Sequence, residues 1–133
     1  MKSLKNLNKV FFSIFLITIT SCSEVNKSSN ISKLEVNTKQ DIGLVKFGDT
    51  LTKQISFKNT SSNDLIIKRA KSSCGCTSVK LKDSIIKPNS NGEIRVSLTP
   101  KVENNGVINE SIIIEANTKP IFTVIYLKGK VVN

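Results

Sequence analysis

The sequence predicts an all-β fold, an antiparallel sandwich of seven to eight strands behind an N-terminal signal helix. Three observations predict it. Short segments alternate apolar and polar residues at the two-residue period of a half-buried strand. Asn, Gly and Pro punctuate them about every 8 to 12 positions, with positive-φ tolerance where tight turns need it. No stretch beyond the leader carries a convincing helical stripe. The chain has 133 residues, room for a targeting segment and one domain.

The leader is residues 1–21. Lys2, Lys5 and Lys9 give it a positive start, and Val10 to Thr20 is an apolar run of about eleven residues, well short of the roughly 20 that a spanning helix needs. A charged start, a short apolar centre and small residues before a cysteine read as a secretory signal. Ile19-Thr20-Ser21-Cys22 looks like a bacterial lipobox, which implies cleavage after Ser21 and a diacylglyceryl thioether on Cys22. Each buried CH₂ of the acyl chains contributes about 0.8 kcal/mol to membrane affinity, so a dually acylated Cys22 would hold the protein on a membrane through its lipid. Ser23, in the place where an Asp would favour the inner membrane, points to outer-membrane sorting. The expected address is the cell envelope.

Residues 22–32 are polar and without apolar period, which suits a flexible tether. The domain is expected over residues 33–133. Its strands are expected at Lys33 to Thr38, Gly43 to Lys46, Thr52 to Asn59, Leu65 to Lys71, Thr77 to Leu81, Gly92 to Thr99, Val107 to Ala116 and Ile121 to Val132. Ile94, Val96 and Leu98 share one face of their strand and Glu93, Arg95 and Ser97 the other. Ile55 and Phe57 make a second inward face, and Phe122, Val124 and Tyr126 are read as a third. Roughly 100 residues in this many strands is the size of an immunoglobulin-like sandwich.

The formal charge is +10. Without residues 1–21 it is 17 basic against 10 acidic residues, a net +7. These charges are dispersed along the strands with no aromatic interleaving, so a solvated basic face is favoured over nucleic-acid binding. The chain has no His, which removes Ser-His-Asp and Cys-His catalysis and HExxH metal sites together. Asp and Glu form no close pair suited to two-carboxylate chemistry. The protein is therefore read as a non-enzyme without a cofactor.

In chain order, Asp41 to Asp49 (DIGLVKFGD), Phe57-Lys58-Asn59-Thr60, Leu65-Ile66-Ile67, Ser73-Cys74-Gly75-Cys76-Thr77, and Ile86-Lys87-Pro88 ahead of a strand ending at Pro100 resemble the bacterial domain of unknown function 1573 family. The resemblance covers about Leu34 to Val132, and Ser-Cys-Gly-Cys-Thr is its most specific part. It implies an immunoglobulin-like sandwich akin to major sperm protein and PapD-like domains, in exported proteins and often lipoproteins of Bacteroidetes and relatives. It implies no biochemical role. The family often has Pro-Gly before the late strand, whereas here Asn89 follows Pro88, a residue that also accepts the left-handed conformation. Asp49-Thr50-Leu51 and Asp83-Ser84-Ile85 resemble the Bacteroidetes O-glycosylation acceptor, which makes Thr50 and Ser84 candidate sites.

Cys74 and Cys76 are the candidate thiol site. Residues two apart in an extended segment project to one face, so their sulfurs can converge. Four readings stay open: small apolar residues at the start of a strand, a local disulfide needing a bend at Gly75 and readily reduced, a thiol pair for redox exchange, or two thiolates for Cu(I) or half of a Zn²⁺ site. Two sulfurs alone do not close a metal site, so none is assigned. The function expected is a membrane-anchored envelope lipoprotein acting as a non-catalytic binding or structural module, with an envelope protein or glycan as partner besides the lipid. The alternative is a thiol-redox or copper-handling protein acting through Cys74 and Cys76.

Overall fold

The computed structural model describes residues 30–101 and 106–133. The signal helix, the anchor at Cys22 and most of the tether lie outside the described residues. Nine strands run β1 Leu34–Val36, β2 Lys39–Lys46, β3 Leu51–Asn59, β4 Leu65–Ser72, β5 Thr77–Leu81, β6 Ile85–Ile86, β7 Asn91–Leu98, β8 Val107–Ala116 and β9 Phe122–Val132. They form a four-stranded sheet ordered β1-β3-β7-β5 and a five-stranded sheet ordered β2-β9-β8-β4-β6. The immunoglobulin-like sandwich is the arrangement of these two layers.

Three features of strand extent and pairing depart from the sequence reading. β2 starts at Lys39, four residues before Gly43, because a bulge lets the strand run through that glycine: its register with β9 shifts between Asp41 and Gly43, and Gly43 sits at φ +69°. The sandwich is not wholly antiparallel, since β2 and β9 pair in parallel. A two-residue strand, β6, pairs with the start of β4, too short for period reading to find.

The core lies between the layers. Ile55 and Phe57 of β3 and Ile94 and Val96 of β7 are buried from one side, facing Leu65, Ile67, Ile112, Ile114, Ile125 and Leu127 from the other, and Leu98 is buried at the end of β7 with Val45 and Ile108. β9 corrects the sequence reading of its inward side. Ile125 and Leu127 are buried, while Phe122 and Tyr126 are exposed and Val124 is half-buried. Both sides of β9 are apolar, so alternation could not choose between them. Pairing does: Ile125 lies opposite Ile112 of β8, and directly opposite residues share a face.

The two ends of the sandwich differ. At one end lie the β3–β4 turn, the β6–β7 turn and the β8–β9 turn. The chain enters here: Asn117 Nδ2 donates to the Asn30 carbonyl at 2.7 Å, and Ser32 donates its hydroxyl to the Asp64 carbonyl at 2.7 Å. Ser32 is 5% exposed, so the folded unit already includes it. In the β6–β7 turn Asn89 takes φ +57°, the left-handed geometry that Gly would otherwise supply. At the other end lie the β2–β3 turn, the segment between β4 and β5, the end of β7 and the start of β8.

Candidate functional site

Ser72 ends β4 and Thr77 begins β5, so the cysteines occupy the turn between the two sheets. The turn is closed by its own polar groups. Thr77 N–H donates to the Cys74 carbonyl at 3.3 Å, and the Ser72 hydroxyl lies 2.8 Å from the Cys74 carbonyl and 2.5 Å from that of Thr77. Thr99 N–H donates to the Cys76 carbonyl at 3.1 Å, fixing the turn to the end of β7. Cys74 and Cys76 are joined as a disulfide, with Cα atoms 5.3 Å apart. A ring this small removes little chain entropy, about 1.5 kcal/mol of stability in the loop-closure picture. The bond therefore adds far less than the aliphatic core. Cys76 also packs on a small cluster of Val45, Leu98 and Ile108 that caps this end.

A third residue enters from β8. Glu110 shares the inward parity of Ile108, Ile112 and Ile114, and its half-buried carboxylate meets the turn. Cys76 Sγ stands 3.6 Å from Glu110 Oε1, and the Ser73 hydroxyl donates to Glu110 Oε2 at 3.3 Å. Ser73 is itself held by the β8 backbone: its N–H donates to the Ser111 carbonyl at 2.8 Å, and its Oγ accepts from Ser111 N–H at 3.1 Å. The sequence reading did not select Glu110. Its signal was present as the one charged residue among the inward positions of β8, but which residues it would face is set by long-range register.

The other candidates are dispersed. Thr50 is exposed in the β2–β3 turn with its hydroxyl 2.8 Å from that of Thr99. Ser84 is exposed just before β6, where its carbonyl accepts from Ile67 N–H. Neither lies in the cysteine turn, and Cys22 is outside the described residues.

The outer face of the five-stranded sheet forms a second candidate surface. Register places Arg69, Glu115 and Phe122 in one row across β4, β8 and β9, and Lys71, Ile113 and Val124 in the next. Further rows hold Ser111, Tyr126 and Lys39, then Asn109, Lys128 and Asp41. Phe122, Ile113 and Tyr126 remain 48%, 40% and 47% exposed. They make an apolar column with lysines on both flanks.

The family model of the proteins of unknown function DUF1573 matches residues 34–131, nearly the whole folded unit. The chain belongs to this family. No functionally curated protein matches it. Among solved structures, this DUF1573 domain is similar to a protein of unknown function from Porphyromonas gingivalis W83, with a TM-score of 0.70 and 19% identity over 80% of this chain and 50% of that one. That likeness is one of fold. A fainter likeness, TM-score 0.49 and 10% identity over 80% of this chain and 33% of that one, is to the VesB protease of Vibrio cholerae, too distant to bear on this chain. The chain thus spans half the length of the first of these proteins and a third of the second.

Proposed function

We propose that the protein is a lipid-anchored component of the cell envelope, held through Cys22 on the outer membrane, and that its sandwich is a non-catalytic binding module. The observation that carries this reading is the apolar column of Ile113, Phe122, Val124 and Tyr126 with Lys39, Lys71 and Lys128 beside it. Aromatic and aliphatic side chains left in water on a regular sheet face suit association. The flanking cations favour a partner that carries acidic groups around an apolar patch, an envelope protein or an acidic glycan.

Two experiments test the two halves of the reading. Palmitate incorporation is expected in the wild type and absent in Cys22→Ala; equal labelling of both would sink the anchor. Crosslinking in intact cells is expected to give an adduct that disappears in Tyr126→Glu and persists in Lys80→Glu, which lies on the other sheet. An adduct unaffected by Tyr126→Glu would remove the outer face from the interaction.

A further inference from the structure

We propose that, once the Cys74–Cys76 bond is reduced, Cys74, Cys76 and Glu110 form a three-ligand site for a zinc-class divalent cation, with the fourth position left to water or a partner's donor. This is independent of what docks on the outer sheet face. The two sulfurs and a Glu110 oxygen all lie within 4.8 Å of one another. In a tetrahedral site with Zn–S near 2.3 Å and Zn–O near 2.0 to 2.2 Å, sulfur and oxygen ligands stand about 3.5 Å apart. Cys76 Sγ and Glu110 Oε1 are 3.6 Å apart. On reduction the two sulfurs have to separate to about 3.7 Å, and they sit on a turn whose Cα atoms are 5.3 Å apart.

The surroundings are arranged as metal ligands need. Ser73 Oγ accepts from Ser111 N–H, so its own proton is directed to Glu110 Oε2. This leaves Oε1 free toward the sulfurs and fixes the carboxylate from behind, the role outer partners play at metal sites. Cys76 N–H points at Cys74 Sγ from 3.2 Å, so a backbone donor orients that sulfur. The turn opens to solvent through a shallow depression beside Lys71, Ser73 and Gly75, which supplies an entry path.

The ligand set selects the ion. Two thiolates disfavour Ca²⁺ and Mg²⁺, which prefer all-oxygen shells, and one hard carboxylate disfavours Cu(I) against Zn²⁺. A dithiol reductant gives two electrons and two protons to the Cys74–Cys76 bond and leaves as its own disulfide. Binding of the cation then displaces the two thiol protons to solvent. Re-oxidation by a disulfide oxidant, which takes the two electrons and with two protons from solvent leaves as a dithiol, removes both thiolates and ejects the ion, so metal occupancy would report the local thiol–disulfide state.

The test uses the full-length chain in detergent with Cys22→Ser throughout, so that only the pair can bind, and Zn²⁺ as the probe against a chromophoric chelator. Reduced protein is expected to hold one equivalent and oxidised protein none. Ser73→Ala is expected to weaken binding about tenfold, Glu110→Gln more than that, and Cys74→Ser with Cys76→Ser to abolish it. Far-UV circular dichroism of every form serves as the check on folding, with the oxidised wild type as a folded reference. Co²⁺ substitution should give thiolate charge-transfer absorption in the reduced protein. Stoichiometry in the reduced wild type equal to that of the double serine variant would overturn the proposal. So would equal Zn²⁺ affinity of Glu110→Gln and wild type, or a preference for Cu(I) over Zn²⁺ under the same reducing conditions.

Discussion

Asn59 is fully buried and has four polar contacts. Its Nδ2 donates to the carbonyls of Asn63 and Ile86 at 2.8 and 2.9 Å, and its Oδ1 accepts from the N–H and hydroxyl of Ser61 at 3.0 and 2.6 Å. One amide thus ties the end of β3 to its own turn and to β6. Asn59→Ala would take the amide from the buried Ile86 carbonyl and from Ser61 N–H, while the Asn63 carbonyl keeps the Ser61 hydroxyl at 3.1 Å, at a cost of about 2 to 3 kcal/mol. Urea unfolding should show this as a lower midpoint with an unchanged slope; a loss under about 0.5 kcal/mol would mean that water replaces the amide. In the sequence, Asn59 reads as the polar last residue of an alternating strand, within a segment that resembles the family, and nothing local marks it as buried. Its burial depends on Ile86, which is remote in the chain. Glu110 was hidden for the same reason: its partners belong to a turn more than thirty residues earlier, and local pattern carries no information on register between distant strands.

Strands with one apolar side were legible, and β9 shows where that stops. In β7 the polar set Glu93, Arg95 and Ser97 left one choice of inward face, and Ile94, Val96 and Leu98 are buried. In β9, Phe122, Val124 and Tyr126 compete with Ile125 and Leu127, and only the pairing of Ile112 with Ile125 decides. The outward aromatics are the residue of that competition, and they form the surface proposed for binding. The parity makes a sharp contrast. Ile125→Ala should cost about 2 to 4 kcal/mol through the cavity it leaves, while Tyr126→Ala should stay within about 1 kcal/mol. Thermal or urea unfolding of the two variants checks it, and similar losses in both would contradict the inward assignment. The bulge at Gly43 has the same character, since a glycine in a strand signals an irregularity without saying how far the strand continues beyond it.

At the scale of the molecule, the sandwich is closed by its first and last long strands. β9 lies between β2 and β8 and is the sole link of β2 to its sheet. Deleting residues 122–133 should therefore abolish cooperative unfolding altogether, because it strips β2 of its partner and opens the core beside Ile112 and Val45. Circular dichroism through a urea titration is the measurement, and a retained sigmoidal transition would show that β9 is dispensable. The parallel pairing has a further consequence for the order in which the sheet assembles, because it joins residues 39–46 to residues 126–132. Contacts that join the two ends of a domain cannot form until its final residues are present. The pairings β8–β9 and β3–β7 span shorter stretches of chain than the β2–β9 seam, so that seam is the slowest contact to nucleate and the one that locks the sheet.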